Sequence, residues 1–325
     1  MAIVEPTLKS INSILGLNLD GERLLLVYGG PSGMVQERLS VAMPANKSFP
    51  AILELITASA DRLLMVTQAQ RLPLPDCVSV SITGNYDPVS GSLESAPDFP
   101  DWKSEPLKSQ LGLRFNLPVF IEQRPSAGLL AEMLFGSAES SGTQVYLSFS
   151  PTLRASFALN GTIYQNPGGR AGDIGRLPNP TAPDPRQNRP LTFNDFLSLN
   201  GLAAQALRLQ PSHWDLNTSG LQILQAAAEN DPFAVEIIER AARMLGQNLA
   251  CIIHLLRPKQ ILIAYPVSLA AESFLPALRS AATEASGLSD SELPLFSASQ
   301  LGYRQPELEA LAPAVSALRL RVSSR

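Results

Sequence analysis

The amino-acid sequence predicts an α/β protein with two lobes, each built around a mixed β-sheet. One order of elements, three meandering strands followed by alternating helices and strands, begins near residue 15 and begins again near residue 144. Strands joined by tight turns pair antiparallel, and strands separated by a helix pair parallel, so each copy of this order predicts a mixed sheet covered by helices. A chain of 325 residues is long enough for two such cores.

The elements of the first half are set by turn residues and by the period of the apolar side chains. Asp20-Gly21 is a strong hairpin turn pair between two apolar runs, and Pro73 and Pro75 end the amphipathic run that follows Ser48. The predicted elements are strands 15–19, 23–28 and 35–41, a helix over 49–70, a strand over 77–82, a helix over 103–114 and a strand that starts at Val119.

The second half repeats this order. Asn160-Gly161 supplies a hairpin turn, and Asp231-Pro232 has the residue types that begin a helix. One apolar stripe runs along the long helix that follows and ends at Pro258. The predicted elements are strands 144–149, 154–159 and 162–164, helices 193–209 and 219–229, the long helix from Asp231, and a buried strand over 260–264.

Composition excludes several classes of function. The net charge is −4, so no overall basic field attracts nucleic acid, and no basic helix stands out. No stretch approaches the run of about 18 apolar residues that a membrane span needs. The amino terminus, MAIVEPTLKS, lacks the basic-then-apolar order of a signal peptide. We therefore expect a cytoplasmic protein without a membrane segment.

Cysteine and histidine are too few and too scattered for a zinc site. Cys77, Cys251, His213 and His254 are the only residues of these types, and they come from four distant places. Their spacing matches no zinc motif. We predict no metal site, and we expect both thiols to be buried as small apolar groups.

The stretch 117–136 has the layout of an active-site turn between a strand and a helix. Polar Glu122, Gln123 and Arg124 follow a short apolar strand, and Pro125 stands where the first turn of a helix tolerates a missing N–H. Side chains at the carboxyl end of a parallel strand point into the crevice where α/β proteins bind ligands. These three residues are therefore candidate ligand contacts.

The same stretch, IEQRPSAGLLAE, resembles the ROK family (repressors, unassigned frames and sugar kinases), whose turn reads Glu-Asn-Asp-x-Asn-x-Ala and ends in Gly-Glu. Three other segments carry the resemblance: ITGNYDPVSG with SAPDFPDW, NGTIYQNPGGRAGDIG, and DPFAVEIIERAARMLGQNLACIIHLLRPKQILIA. The resemblance implies an actin-like ATPase (ribonuclease H-like) fold of two lobes, with duplicated mixed sheets and a ligand in the cleft between them. It also implies a small lobe over 1–121 with a carboxy-terminal helix over 306–325, a large lobe over 122–305, and a homodimer.

The chemistry of the family's kinases is not kept. Arg124 falls on the Asp that serves as general base, and a guanidinium with a pKa above about 12 cannot accept a proton near neutrality. By the resemblance, the nucleotide site is degenerate in both of its phosphate loops and in the glycine pair on the adenosine side. The family's zinc loop is also missing, because Arg176 replaces its His and the segment 178–190 contains no Cys. We therefore expect no cofactor, with ATP and Mg²⁺ relevant only to an atypical kinase. The degenerate nucleotide positions are Asn18, Asp20, Gly21, Ser150, Thr152 and Ala264.

The sugar half of the family's site is better kept. The candidate ligand-binding residues are Gly84, Asp98, Glu122, Gln123, Arg124, Asp173 and Arg176. Two arginines suit phosphate or carboxylate, so the expected ligand is a sugar or an anionic sugar derivative such as a sugar phosphate or sugar acid. Two alternatives stay open: the arginines pair with Asp98, Glu122 or Asp173 and close the pocket, or the carboxylates are solvated loop residues.

The sequence thus leaves function hypotheses of three classes. The preferred one is a catalytically inactive, carbohydrate-sensing regulatory protein related to sugar-responsive transcriptional regulators. Only about a dozen residues precede the first strand, too few for a winged helix-turn-helix, so we expect no DNA-binding domain in this chain. The alternative is an ATP-dependent sugar kinase with atypical active-site residues. A structural role through dimerisation on the apolar helix 233–256 is the third.

Overall fold

The computed structural model describes residues 11–139, 141–149, 152–178 and 191–323. Their contacts group them into two compact units. The first contains the described residues within Met1–Gly136, Gln165–Arg170 and Tyr303–Arg325, and the second contains those within Ser137–Tyr164 and Ala171–Gly302.

The first unit is built on a five-stranded mixed sheet. Its order is β3-β2-β1-β4-β7, in which β1, β2 and β3 pair antiparallel and β1, β4 and β7 pair parallel. The elements are β1 Ile14–Leu19, β2 Arg23–Gly29, β3 Val35–Ala42, α1 Phe49–Ala69, β4 Cys77–Ile82, β5 Asn85–Asp87, β6 Ser92–Ser95, α2 Leu107–Phe115, β7 Val119–Gln123 and α3 Arg124–Phe135. The strands β5 and β6 form a separate hairpin.

The second unit repeats this sheet. Its order is β10-β9-β8-β11-β12, again with an antiparallel meander followed by parallel neighbours. The elements are β8 Gln144–Ser148, β9 Arg154–Leu159, β10 Thr162–Ile163, α4 Asn194–Leu197, α5 Leu199–Leu209, α6 Gly220–Ala228, α7 Pro232–Leu256, β11 Gln260–Ile263, α8 Ala271–Ser286 and β12 Leu295–Ala298. The prediction of an α/β protein with two mixed sheets of the same element order is confirmed.

The chain then returns to the first unit as helix α9, Gln305–Ser323. Alternate residues of a strand point to opposite faces of its sheet. Leu15 and Leu17 of β1 therefore pack in one core with α1, whereas Ile14 packs with Ala310 and Leu311 of α9. A Cβ at Gly16 would lie 3.1 Å from the Cβ of Ala310, so a glycine lets α9 approach the sheet closely. Helix α9 thus covers the face of the first sheet that α1 leaves open.

The longest helix, α7, follows the predicted pattern. Asp231 caps it, because its Oδ1 accepts the backbone N–H of Ala234 at 2.8 Å. Ile237, Ala241, Leu245 and other members of its apolar stripe are buried in the core of the second unit. None of the helices in the described ranges is both long and apolar enough to span a bilayer.

Several boundaries differ from the sequence prediction. The first unit extends to Gly136, beyond the predicted boundary at residue 121, because α3 packs against α9. Helix α2 begins at Leu107, directly after Pro106, and not at residue 103. The predicted helix 193–209 is broken at Ser198, whose extended backbone and side chain cap α5. The sequence patterns described above do not predict the elements β5, β6, α8 and β12.

One of the two cysteine predictions is wrong. Cys77 is buried in β4, and burial raises the pKa of its thiol to about 12. Cys251 is exposed, on the outward face of α7.

Candidate functional site

Three neighbouring strands of the first sheet end at the same level. In the parallel ladder, Leu19 is in register with Ile82, and Ile82 is in register with Gln123. The next residues along the chain, Asp20, Thr83 and Arg124, therefore follow the carboxyl ends of β1, β4 and β7. This edge of a parallel sheet is where α/β proteins bind ligands.

Arg124 is held by two carboxylates. It is the first residue of α3, and Gln123 before it is an extended N-cap residue at the end of β7. Its Nη1 lies 3.4 Å from Oδ2 of Asp20, and its Nε lies 3.3 Å from Oε2 of Glu309 on α9. The side chain of Arg124 is 16% exposed. The guanidinium of Arg124 is thus already paired. These two partners are not among the carboxylates that the sequence suggested, namely Asp98, Glu122 and Asp173.

Glu309 is the most buried member of this cluster, with a side chain 1% exposed. Its Oε1 accepts Nε2 of Gln305 at 2.7 Å, and its Oε2 also accepts Nδ2 of Asn18 at 3.0 Å. Burial raises the pKa of the Glu309 carboxyl above its usual range, while Arg124 and the two amide donors oppose that rise. Since all three contacts come from donors, they suit the carboxylate form.

Asp98 and Gly84 lie at the end of β4. Thr83 Oγ1 donates to Oδ2 of Asp98 at 2.6 Å, and a Cβ at Gly21 would lie 2.7 Å from Oδ1 of the same carboxylate. Gly84 has a φ of +118°, and a Cβ there would lie 2.6 Å from the carbonyl oxygen of Ser95. Glycine is therefore required at residue 84, where the backbone turns against the hairpin β5–β6.

Glu122 forms a second carboxyl site near the end of β7. It is half-buried, and Gln165 Nε2 donates to its Oε1 at 2.5 Å. Burial raises the pKa of Glu122 to about 8, and the hydrogen bond from Gln165 only partly offsets that rise. Burial, Glu122 and Asp87 all raise the pKa of the neighbouring Tyr86. At neutral pH the Glu122 carboxyl is mostly protonated, so it can both donate and accept hydrogen bonds.

Three backbone N–H groups of the turn after β1, those of Asp20, Glu22 and Arg23, are bonded within the turn. Oδ1 of Asp20 accepts the N–H groups of Glu22 and Arg23, at 2.9 and 2.8 Å. Asn18, which the resemblance places at a magnesium-holding Asp, is 3% exposed and donates to Glu309 and to the carbonyl of Pro306. This turn fits a magnesium nucleotide poorly, because three of its N–H groups are already bonded and the carboxylates of Asp20 and Glu22 would repel the phosphates.

The corresponding turn of the second unit is occupied in the same way. The N–H of Leu153 donates to Oδ1 of Asn194 at 2.8 Å, and the N–H of Ala155 donates to the carbonyl of Gly172 at 2.7 Å. The half-buried Thr152 precedes these residues, and Ser150 lies outside the described residues. Ala264 is buried, and its N–H bonds to the carbonyl of Leu147.

The remaining predicted residues, Asp173 and Arg176, belong to the second unit. Asp173 precedes a short 3-10 helix, Ile174–Arg176, and Arg176 is exposed. Burial lowers the pKa of Arg154, and the charge of Asp173 opposes that effect. Over the described part of the chain, His, Cys, Asp and Glu form no group of three suited to a metal ion.

Sequence reasoning missed Glu309, Gln305 and Thr83. One signal for Glu309 was available, since it is a single charge within the apolar run Leu308–Val315. A carboxylate in such a run requires a buried partner.

The repeated sheet order and the polar residues at the strand ends define an actin-like α/β fold of the kind found in sugar kinases and their repressor relatives. The ROK family model matches residues 32–292. The chain belongs to the ROK family.

Both repressors and kinases are among the similar proteins. The xylose repressor of Caldicellulosiruptor bescii is 24% identical over 287 residues, which cover 83% of this chain and 70% of the repressor. A ROK family transcriptional regulator, homologous to the E. coli Mlc protein, has a TM-score of 0.84 at 22% identity, covering 94% of this chain and 78% of its own. A ROK glucokinase from Streptomyces griseus, solved with glucose and AMPPNP, has a TM-score of 0.77 at 20% identity, covering 94% and 99%.

Proposed function

We propose that this chain is a catalytically inactive ROK regulatory protein that binds a sugar without phosphorylating it. One observation carries the proposal: Arg124, at the turn between β7 and α3, is paired with Asp20 and Glu309. By the resemblance, this turn holds the general base of the kinases. A guanidinium does not accept a proton at neutral pH. If Arg124 moved away from its partners, the buried carboxylate of Glu309 would be left unpaired.

The occupied turns support the same proposal. Phosphoryl transfer depends on positioning a triphosphate and stabilising its charge. The turn after β1 instead presents the carboxylates of Asp20 and Glu22, and the N–H groups of Glu22 and Arg23 are already bonded. In the second unit, the N–H groups of Leu153 and Ala155 are bonded as well. Bound ATP would have to displace these contacts.

A sugar finds better partners in the first unit. Asp98 and Glu122 offer hydrogen-bonding oxygens near the ends of β4 and β7. Sugars are recognised by a few well-placed polar groups of this kind. The regulatory relatives at similar identity fit a sensing role, in which sugar binding shifts the population of states that a partner recognises.

A thermal-shift experiment tests the proposal, because a ligand that binds only the native state raises the apparent stability. The full chain is heated with glucose, xylose, N-acetylglucosamine or Mg·ATP. We expect at least one sugar to raise the melting temperature in the wild type and to lose this effect in Asp98→Ala, and we expect Mg·ATP to have none. Glu54→Gln, on the exposed side of α1, is the matched control and should respond like the wild type. Absence of a shift with every sugar would contradict sugar binding.

The second candidate function is an atypical sugar kinase, and one observation favours it. Glu122 lies two residues before Arg124 and has a pKa of about 8, so the fraction of it that is ionised near neutrality is basic enough to act as a general base. If Glu122 replaced the missing base, sugar-dependent ADP release would occur and Glu122→Gln would abolish it. The proposed function predicts no such release from either protein.

A further inference from the structure

Glu309 is a carboxylate built into an otherwise apolar helix face. Its neighbours Leu308, Ala310 and Leu311 are buried in the first unit, and its own side chain is 1% exposed. A carboxylate in such a place is costly unless it is paired and hydrogen-bonded. Arg124 provides the opposite charge. The helix α9 thus carries a buried counter-charge for the residue at the centre of the proposed site.

The two carboxylates that contact Arg124 together carry more charge than its guanidinium. Its single positive charge faces the carboxylates of Glu309 and Asp20, at 3.3 and 3.4 Å. Asp20 is fixed in place because its other oxygen accepts two backbone N–H groups. Asp98 is a third carboxylate at this edge of the sheet, where it accepts a hydrogen bond from Thr83, the residue that follows β4. An anionic ligand would meet these carboxylates while the guanidinium that could attract it is already neutralised.

On the premise of the proposed sugar site, we infer that Glu309 is a specificity-determining residue: with Asp20 it neutralises Arg124, so that the site selects uncharged sugars over sugar phosphates and sugar acids. This inference replaces the sequence-based expectation of an anionic ligand. That expectation assumed that Arg124 was open to phosphate or carboxylate, whereas two carboxylates of the protein itself hold its guanidinium. Removing the charge of Glu309 should free part of the guanidinium for an external anion.

The competing explanation is structural, namely that Glu309 only ties α9 to α3. Under that explanation, a change at Glu309 lowers stability and weakens all ligands in proportion. A specificity role instead changes the ratio of two affinities, because an amide has nearly the same shape as the carboxylate but removes its charge. The test therefore compares a neutral ligand and an anionic one on the same variants.

The experiment is isothermal titration calorimetry on the full chain at low salt. The probes are glucose and xylose as uncharged sugars, and glucose 6-phosphate and gluconate as anions. For the wild type we expect at least about tenfold tighter binding of the better uncharged sugar than of either anion. For Glu309→Gln we expect affinity for the anions to rise at least about tenfold, with the affinity for the uncharged sugar changed no more than about twofold.

Two further variants keep the test decisive. Glu307→Gln removes a carboxylate from the same helix that pairs with Arg38 and Arg304, not with Arg124, and should behave like the wild type. Asp20→Asn removes the other counter-charge and should shift the ratio in the same direction as Glu309→Gln, even if the latter fails to fold. An unchanged ratio in Asp20→Asn and in any folded Glu309→Gln protein, or tighter anion binding by the wild type, overturns the inference and leaves the proposed function standing. If the wild type binds none of the probes, both the inference about Glu309 and the proposed function are wrong.

Discussion

The guanidinium of Arg124 lies 3.3 Å from the carboxylate of Glu309, although the two residues are 185 positions apart in the chain. Helix α9 packs along α3 in the same unit, and this packing brings the two side chains together. The pair joins the turn at the end of β7 to the helix that closes the first unit. Under the proposed function, this pair puts a cation where a kinase needs a proton acceptor and neutralises the charge that an anion would otherwise contact.

Breaking this pair should be costly. Arg124→Met leaves Glu309 buried without its opposite charge, which typically costs about 3 kcal/mol or more of unfolding free energy. Urea denaturation measures the loss. Arg38→Met is the matched control, because Arg38 pairs with Glu307 of the same helix but is 72% exposed, and such pairs contribute less than about 1 kcal/mol.

The double variant Arg124→Met with Glu309→Leu completes the comparison. Replacing both charges by apolar side chains removes the unpaired carboxylate, so most of the lost stability should return. Equal losses in Arg124→Met and Arg38→Met would show that the buried pair is not a stabilising element.

The pH dependence of stability should report the state of Glu122. Its pKa rises from the ordinary value of 4.5 to about 8 in the folded protein. A carboxyl with a raised pKa favours the folded state most below its unfolded pKa, and this stability is lost as pH rises through the folded pKa. For a half-buried carboxyl, we expect a fall on the order of 2 kcal/mol between those two pH values.

Glu122→Gln removes this titration while keeping an acceptor for Gln165. Between pH 5 and pH 8, the variant should therefore lose less stability than the wild type, as measured by urea denaturation. This pH range follows from the rise in the pKa of Glu122 from 4.5 to about 8. Glu54→Gln, at an exposed position on α1, should follow the wild type. Parallel curves for Glu122→Gln and the wild type would mean that Glu122 titrates normally.

Gly84 should tolerate no side chain. Its φ is +118°, and a Cβ would come within 2.6 Å of the Ser95 carbonyl oxygen. We expect Gly84→Ala to cost about 3 kcal/mol from backbone strain and overlap combined. Gly287 also has a positive φ, +66°, but nothing lies within 4 Å of the added carbon, so Gly287→Ala should cost only about 1 kcal/mol. Similar thermal stabilities for the two variants would contradict the close contact at residue 84.

Much of the fold could be predicted from local sequence because local chemistry determines it. The turn pairs Asp20-Gly21 and Asn160-Gly161 fix hairpins without help from distant residues, and both lie where they were expected. The period of apolar residues identified α1 and α7 for the same reason. Elements of three or four residues, such as β5 and β6, carry too few alternations to stand out from a turn.

The candidate site could be predicted only in part. The strand-to-helix pattern around β7 identified Arg124, and the resemblance to the family supplied Asp20 and Gly84, but Thr83, the residue directly after β4, was missed. The partner of Arg124 could not be predicted, because the resemblance assigned the carboxy-terminal helix to the first lobe but no local pattern shows which of its residues faces Arg124. The contact between Glu309 and Arg124 therefore depends on tertiary packing. The charge balance of the site depends on the same packing.

The most direct test of the account is a single-turnover experiment with radiolabelled ATP. The protein is held in excess over [γ-³²P]ATP and Mg²⁺, with saturating amounts of a sugar that raises its melting temperature, and the products are separated after hours. We predict that the sugar binds and that no labelled sugar phosphate forms above the level seen without protein. Labelled sugar phosphate that requires both the sugar and the protein would contradict the claim that this site binds without catalysis.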